Sequence, residues 1–336
     1  MNLKDFNRLN IANLPTKLHL LKNLTKKLDG PNIFIKRDDE TGLVFGGNKV
    51  RKLEYILAEA IDQGAEVIIT SGGAQSNHGR LTVAAAVSFG LKPVLVITDN
   101  EPEVYKGNLA LDVLLGAELY FVNVENGKDI AVSVQKGEEK VKQLKELYER
   151  KGYKTYIIPR GGRSTQGTAA YIAATLEIYQ QIINNQLKID YIVTAVGSGS
   201  TIGSLILANK VFKTGIKPIG ISVAYSKEEC IERILEQTEV DKKYFGFDVE
   251  VTKDDIIIFD DYIGSGYALP TEEGIAAIKL LAQTEAIILD QNYTGKAMAG
   301  LIDLINKRYF SKNDSVLFLH TGGKPALFSL EDQLYR

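Results

Sequence analysis

A glycine pair, a lysine and a helical repeat follow one another in the segment FGGNKVRKLEY, residues 45–55 of this 336-residue sequence. Gly46 and Gly47 predict a tight turn, Asn48 can cap a helix, and the apolar residues after it recur at helical spacing. Lys49 then lies at or just inside a helix start, where the helix dipole disfavours a cation. A lysine that loses its charge by forming an imine is not disfavoured there. We therefore expect a site organised around Lys49.

Composition limits the class of protein. The net charge of −2 gives no basic surface for nucleic acid or an anionic membrane, and no apolar run is long enough to span a membrane. The charged first ten residues do not fit a signal peptide, so we expect a cytoplasmic enzyme. Cys230 is the single cysteine, which excludes an intrachain disulfide. The three histidines are far apart and predict no metal site.

Short β-branched segments alternate with amphipathic ones, which predicts a mostly parallel sheet with helices on both faces. We expect strands at 33–36, 67–70, 94–97, 119–122, 155–158, 191–196, 218–223, 256–259 and 315–320. We expect helices at 51–63, 79–89, 108–115, 129–151, 165–185, 202–212, 226–236, 272–283 and 296–308. Glycine pairs at 46–47 and 161–162 predict a small α/β domain of residues 48–160. Residues 1–47 and 161–336 would form a larger α/β domain.

The turn after the strand at 191–196 has the composition of a phosphate cradle. It places backbone donors and three hydroxyls at a predicted helix N-terminus. Its residues are Gly197, Ser198, Gly199, Ser200 and Thr201. The next glycine, Gly203, comes one place too late for a dinucleotide fingerprint, no acid for a ribose follows the next strand, and no P-loop lysine is present. These absences disfavour the alternative of a nucleotide-binding dehydrogenase or binding protein.

Other loops have two interpretations each. Ser76 and Asn77, in the turn SGGAQSNHG, could help bind a phosphate or carboxylate, or the turn could be an ordinary capped one. Arg160 and Arg163 could bind an anion or form salt bridges at the domain boundary. His320 is expected to be a hydrogen-bonded strand-end residue and not a base.

A lysine at a helix start, a phosphate cradle without a nucleoside and a second anion-binding loop together match what pyridoxal phosphate requires. The aldehyde needs a lysine, the phosphate needs a helix N-terminus, and the substrate carboxylate needs another anion site. The larger domain would bind this cofactor.

Six segments resemble the D-cysteine desulfhydrase and aminocyclopropane-carboxylate deaminase family, and the resemblance runs from Leu14 to Phe328. They are KRDD at 36–39, FGGNKVRKLEY at 45–55, GGAQSNH at 72–78, GYALP at 266–270, YTGKAMAG at 293–300 and HTGGKPALF at 320–328. The resemblance implies pyridoxal-phosphate fold type II, a two-lobed open parallel-sheet fold like that of tryptophan synthase β. It also implies a homodimer and a small-molecule amino-acid substrate.

The resemblance assigns four features to the cofactor. Lys49 would form the imine, Asn77 would hydrogen-bond the phenolic oxygen, and the turn at 197–201 would hold the phosphate. Thr294 would meet the pyridine nitrogen. Deaminases of the family carry a glutamate at that position, so Thr294 favours a desulfhydrase.

The resemblance also assigns the substrate side. Ser76 would lie near the substrate Cα and carboxylate, and Tyr267 and Tyr293 would face the substrate. Lys49, alone or together with Ser76, would remove the Cα proton. The implied reaction is β-elimination of D-cysteine to pyruvate, ammonia and hydrogen sulfide. Alternatives are a lyase for another β-substituted amino acid and aminocyclopropane-carboxylate deaminase. The basic RGGR loop at 160–163 favours an anionic side chain, such as that of cysteate.

Overall fold

The computed structural model describes residues 6–124 and 130–330, and strands alternate with helices along most of them. The strands are β1 (Leu18–Leu20), β2 (Asn32–Lys36), β3 (Val67–Gly72), β4 (Lys92–Ile97), β5 (Glu118–Phe121), β6 (Thr155–Ile157), β7 (Tyr191–Val196), β8 (Lys217–Ser222), β9 (Ile257–Phe259) and β10 (Ser315–Leu319). The helices are α1 (Lys22–Leu28), α2 (Asn48–Asp62), α3 (Asn77–Ser88), α4 (Gly107–Leu114), α5 (Ile130–Arg150), α6 (Thr165–Asn184), α7 (Ser200–Phe212), α8 (Lys227–Phe245), α9 (Glu272–Glu285), α10 (Thr294–Asn306) and α11 (Lys324–Leu327).

These strands form two sheets. The larger sheet has six strands in the order β1-β2-β10-β7-β8-β9, and the smaller has four in the order β5-β4-β3-β6. Neighbouring strands are parallel except β1, which pairs antiparallel with β2 at an edge. The predicted two-lobed α/β fold with parallel sheets is confirmed. The strands of the smaller sheet lie between residues 67 and 157. The domain boundaries drawn at 48 and 160 stay a prediction.

The inner strands are apolar because helices cover both faces of each sheet. Every residue of β3 and of β10 is buried. In the larger sheet Val193 and Val316 belong to one core, and in the smaller sheet Ile69 and Val94 belong to another. Two sheets with separate cores leave a space between their strand ends where a ligand site can form.

Helix α2, which carries Lys49, is enclosed on most of its surface. Leu53 and its neighbours on one side pack with Ile68 of β3. Tyr55 on another side packs with Ala169 of α6. Helix α2 therefore contacts β3 of the smaller sheet and also α6, which packs with β7 of the larger sheet, so Lys49 lies on a rigid support.

A buried ionic cluster fixes α2 further. Nη2 of Arg51 lies 2.8 Å from Asp38 Oδ1 and 2.8 Å from Glu177 Oε1, and Lys36 Nζ lies 2.5 Å from the same Glu177 oxygen. Burial alone would raise the pKa of Glu177, but the hydrogen bond and charge of Arg51 lower that pKa to about 2. Removing one partner of such a buried cluster costs about 3–5 kcal/mol. The cluster ties α2 to α6 and to the end of β2, two residues from Lys49.

The structure corrects several sequence-based bounds. The strands predicted from the β-branched segments are confirmed within two residues at each end, whereas β1 and α1 were not predicted. Helix α8 continues to Phe245, nine residues beyond the predicted end at 236. Helix α2 is capped by Gly47 and not by Asn48, whose side chain donates instead to Thr201. No helix within 6–124 and 130–330 is long and apolar enough to cross a membrane.

Candidate active site

A cavity of about 400 Å³ is lined by loops that follow strands of both sheets. Loops after β3 and β6 contribute from the smaller sheet, and loops after β7, β8 and β10 contribute from the larger one. This volume is in the range of small-molecule sites. The predicted site residues that line the cavity are Lys49, Ser76, Asn77, Gly197, Ser198, Gly199, Thr201, Tyr267 and Tyr293. Ser200 and Thr294 are not among the lining residues.

Lys49 is the second residue of α2, which confirms its predicted place at a helix start. Its Nζ donates to the carbonyl oxygen of Gly161 at 2.9 Å, and it forms no ion pair with a carboxylate within the residues that the structure describes. Burial lowers the pKa of Lys49 to about 8. An amine with this pKa is readily available in the neutral, nucleophilic form.

Ser76 is the N-cap of α3, and its Oγ accepts from the amide of Gly79 at 3.1 Å. The hydroxyl proton of Ser76 is not used by that bond. The amides of Asn77 and the next residue belong to the first helical turn, where no intrahelical partner exists. Ser76 and the start of α3 therefore present donors to an anion at the cavity wall.

The side chain of Asn77 has a fixed orientation. Its Oδ1 lies 3.3 Å from Asn108 Nδ2 and 3.4 Å from Arg80 Nη1, and both of those groups donate to it. With the oxygen occupied, the NH₂ group of Asn77 is the end available to a ligand. This orientation agrees with the predicted role, a donor to the phenolic oxygen of the cofactor, which stays a prediction.

The phosphate cradle predicted at 197–201 is the turn from β7 into α7. Gly199 is the N-cap of α7 with φ +81°, a conformation that favours glycine, and the first turn of α7 contains no acidic residue. Ser200 lies behind the cavity wall, where its Oγ accepts from Lys52 Nζ at 2.9 Å. Lys52 is fully buried and was not predicted as a site residue, although it follows Lys49 by three positions on the same helix face.

Tyr267 and Tyr293 meet at their hydroxyl groups, which are hydrogen-bonded to each other. Burial raises the pKa of both side chains, so both are protonated near neutral pH. The loop before Tyr267 is held by Lys296, whose Nζ donates to the carbonyls of Ile263 at 2.7 Å and Gly266 at 3.0 Å. The sequence did not identify Lys296 as part of this support.

Thr294, the first residue of α10, is fully buried beside Asp290. Its hydroxyl donates to Asp290 Oδ1 at 2.7 Å and accepts from the backbone amide of Asp290 at 2.9 Å. The Asp290 carboxylate also accepts from the backbone amides of Tyr293 and Thr294. Asp290 therefore fixes the start of α10, and sequence reasoning missed it. The predicted contact between Thr294 and the pyridine nitrogen stays a prediction.

The two arginines of the loop after β6 have different surroundings. Arg163 binds α8, because its guanidinium donates to Gln237, to the carbonyl of Arg233 and to Glu236, the last at 2.6 Å. The interpretation as a salt bridge therefore holds for Arg163. Both arginines line the cavity, but Arg160 makes no comparable set of contacts with α8.

His320 lies directly after β10, outside any cluster of metal-ligating side chains among the described residues. No group of three or more His, Cys, Asp or Glu side chains suited to a metal occurs within 6–124 and 130–330. His320 is buried, and its Nε2 lies 2.9 Å from the carbonyl oxygen of Ile288, which confirms its expected role as a hydrogen-bonded strand-end residue.

The donor set fits pyridoxal phosphate. A buried lysine amine without a carboxylate partner suits an imine bond, since the bond removes the charge that burial penalises. The start of α7, with Gly199 and no acidic residue in its first turn, suits a phosphate. Asn77 offers an N–H group in the same cavity. These features come from separate parts of the chain and converge on one space.

Comparisons with known proteins agree with this donor set. A family model described as pyridoxal-phosphate dependent enzyme matches residues 9–322. The chain is 38% identical to D-cysteine desulfhydrase of Klebsiella pneumoniae strain 342 over 99% of both chains. It is 39% identical to a putative 1-aminocyclopropane-1-carboxylate deaminase of Thermotoga maritima, over 97% of this chain and 99% of the relative. A crystal structure of an ACC deaminase homologue superposes with a TM-score of 0.88 at 37% identity, covering 99% of this chain and 97% of the other. The chain therefore belongs to the family of pyridoxal-phosphate-dependent enzymes.

Proposed function

We propose that this enzyme is a carbon–sulfur lyase that converts D-cysteine to pyruvate, ammonia and hydrogen sulfide by β-elimination. The observation that carries the proposal is the buried Lys49 amine, with a pKa of about 8, in a cavity that also presents Ser76, Tyr267 and Tyr293. Its similarity to a relative named D-cysteine desulfhydrase supports the proposal.

Pyridoxal phosphate supplies an electron sink for the pair of electrons released when the Cα–H bond breaks. The start of α3 would bind the substrate carboxylate through its free amides, with Ser76 beside it. The neutral amine of Lys49 would accept the Cα proton, and the uncommitted proton of Ser76 could support that transfer.

The departing thiolate needs a proton. Tyr267 and Tyr293 are both protonated near neutral pH because burial raises the pKa of each. Their hydrogen bond leaves one of the two hydroxyl protons free to be donated into the cavity. The pair would therefore act as the acid that protonates the leaving sulfur.

Aminocyclopropane-carboxylate deamination is the second candidate, favoured by the similarity to a relative whose name includes that activity. Residue 294 argues against it, because a threonine cannot supply the negative charge that keeps a pyridine nitrogen protonated. The hydroxyl of Thr294 is moreover already hydrogen-bonded to Asp290.

Borohydride trapping tests the cofactor linkage. Reduction of the holoenzyme should fix the cofactor to the peptide that contains Lys49, and Lys49→Ala should lose the near-ultraviolet to violet absorbance of the bound cofactor. Lys296 is the internal control, since its pKa is also about 8 but it lies outside the cavity. Cofactor on the Lys296 peptide would contradict the assignment.

A substrate panel tests the reaction. Sulfide and pyruvate should be released from D-cysteine faster than from L-cysteine, and the cyclopropane amino acid should give no 2-oxobutanoate. Release of 2-oxobutanoate at a higher rate than sulfide would favour the deaminase instead.

Three further statements belong to this proposal. A homodimer is proposed from the resemblance, and sedimentation would measure it. A cytoplasmic location is proposed because the single cysteine excludes an intrachain disulfide, and cell fractionation would measure it. Independent domains at 48–160 and at 1–47 plus 161–336 are proposed from the separate sheets, and limited proteolysis would measure them.

A further inference from the structure

Arg160 is a cation on the cavity wall. Its one hydrogen bond among the described residues runs from Nη1 to Thr98 Oγ1 at 3.1 Å, and it has no carboxylate within ion-pair distance there. A guanidinium has five N–H donors, so most of its hydrogen-bonding capacity is unused. Arg163 lines the same cavity, but its guanidinium makes three hydrogen bonds to residues of α8, so its charge is already paired.

The position of Arg160 relates it to the substrate. It lines the main cavity together with Lys49 and Tyr267, and with Tyr267 it also lines an adjoining pocket of about 100 Å³. Its charge acts on both hydroxyls of the tyrosine pair, because it opposes the burial that raises the pKa of Tyr267 and Tyr293. Arg160 is therefore near the groups proposed to protonate the leaving group.

Two glycines determine the backbone conformation directly after Arg160. Gly161 has φ +72° and Gly162 has φ +65°, and a Cβ on Gly161 would lie 3.1 Å from Ser198 Oγ. The carbonyl of Gly161 accepts from Lys49 Nζ. The backbone at Gly161 is thus held beside Lys49, and Arg160 directly precedes it.

Asp99 is a carboxylate close enough to Arg160 for the charge of Arg160 to lower its pKa. Burial raises the pKa of Asp99, while the amide of Ala74, which donates to Asp99 Oδ2 at 2.6 Å, and the charge of Arg160 lower it. Asp99 thus weakens the positive potential at Arg160 without pairing with it.

We infer that Arg160 binds an anionic group on the β-carbon of the substrate, so that alanines with a charged sulfur leaving group, such as cysteate, are substrates beside D-cysteine. This inference rests on the proposed β-elimination. The start of α3 is the element proposed to bind the substrate carboxylate, which leaves Arg160 for a second anion. A guanidinium is well suited to a sulfonate because it can donate two parallel hydrogen bonds.

The reaction with cysteate balances without an oxidant. The Cα–H bond breaks and the proton passes to Lys49, then the Cβ–S bond breaks and its electron pair leaves with sulfur as sulfite. The released aminoacrylate becomes the imine of pyruvate and takes up one water to give pyruvate and ammonia. Arg160 would neutralise the charge that grows on the departing sulfite.

The test compares kcat/KM for D-cysteine and both enantiomers of cysteate in the wild type, Arg160→Gln and Arg160→Lys holoenzymes. Arg160→Gln should lower kcat/KM for cysteate about tenfold to hundredfold relative to D-cysteine, and Arg160→Lys should recover part of it. Asp99→Asn should shift the ratio toward cysteate. Arg163→Gln is the matched control and should leave the ratio unchanged.

A binding measurement gives a readout apart from turnover. In calorimetry the wild-type holoenzyme should bind aspartate more tightly than alanine, and Arg160→Gln should abolish the difference. Equal loss for cysteate and D-cysteine in Arg160→Gln would overturn the inference and assign Arg160 to the shared α-carboxylate. Elimination from D-cysteine alone, with no preference for aspartate, would overturn it while leaving the proposed function intact. Selective binding of aspartate without elimination from any substrate would support the anion site and refute the lyase.

Discussion

The hydroxyl groups of Tyr267 and Tyr293 are hydrogen-bonded to each other across the cavity wall, although the two residues come from separate loops. Tyr267 lies in a loop held by Lys296, and Tyr293 is the N-cap of α10, held by Asp290. Both supports therefore involve the start of α10, because Lys296 belongs to that helix. The pKa of each tyrosine hydroxyl is raised, so the pair stays protonated and can donate a proton near neutral pH.

The tyrosine pair predicts a dependence on the leaving group. Tyr267→Phe or Tyr293→Phe should lower kcat for D-cysteine by about 10²-fold, in the usual range for general acid catalysis. The loss should be much smaller for β-chloro-D-alanine, because chloride leaves without a proton. Steady-state rates on the two substrates measure this. Tyr225→Phe removes another cavity hydroxyl as the control, and equal losses for both substrates would assign the pair to binding alone.

The buried Lys49 amine predicts a pH dependence of apoenzyme stability. The folded-state pKa is about 8 and the unfolded value is 10.5, so the unfolded state binds more protons between these pH values. The free energy of unfolding should therefore rise as pH increases from 8 to 10.5, by at most about 3 kcal/mol. The measurement compares urea unfolding of the wild type and Lys49→Met apoenzymes. Identical pH profiles for the two would show that the amine is not desolvated.

Ser76 is proposed to have two roles, capping α3 and supporting catalysis, and substitution can separate them. Ser76→Ala removes the cap of α3 and should cost about 1 kcal/mol. Ser164→Ala is matched to it, because Ser164 caps α6 through the same bond to the amide three residues later, at 3.1 Å, and lies outside the cavity. Both variants should lose similar stability in thermal unfolding, but only Ser76→Ala should lose kcat. Unchanged kcat in Ser76→Ala would restrict Ser76 to capping.

Thr294 predicts coupling between the fold and the cofactor. Thr294→Val removes the bond to the Asp290 carboxylate and should cost about 1.5–3 kcal/mol, with a change in the absorbance of the bound cofactor. Thr294→Ser keeps the hydroxyl and should preserve both. Denaturant unfolding and visible spectra measure these effects. Thr294→Glu should be less stable still, because a second carboxylate would be buried beside Asp290. A stable Thr294→Glu variant would contradict this environment.

The sequence predicted a structural element correctly where the signal for it lies within one short segment. Strand β7 was predicted with its observed bounds, Tyr191–Val196, because it is a continuous apolar run between turn residues. The position of Lys49 at a helix start followed from the glycine pair before it. Three residues of β1 are too few to show a period, and that strand depends on pairing with β2.

Other features depend on contacts between distant segments. Helix α8 extends past 236 because Ile234, Thr238, Asp241 and Phe245 form a buried stripe, and two of these are polar and hide the pattern. The partners of Arg163 lie 70 to 74 residues further along the chain, so no local pattern could assign them. Nothing local marked Asp290 as the group that fixes the start of α10.

The two glycines after Arg160 have a consequence for how enzymes of this shape can diversify. Their positive φ values fix the path of the loop, while the residue before them can change without altering that path. A single codon change at position 160 could then exchange one leaving-group charge for another and leave Lys49 where it is. Selection for a new sulfur source would thus act on one half-buried side chain and would not require a new scaffold.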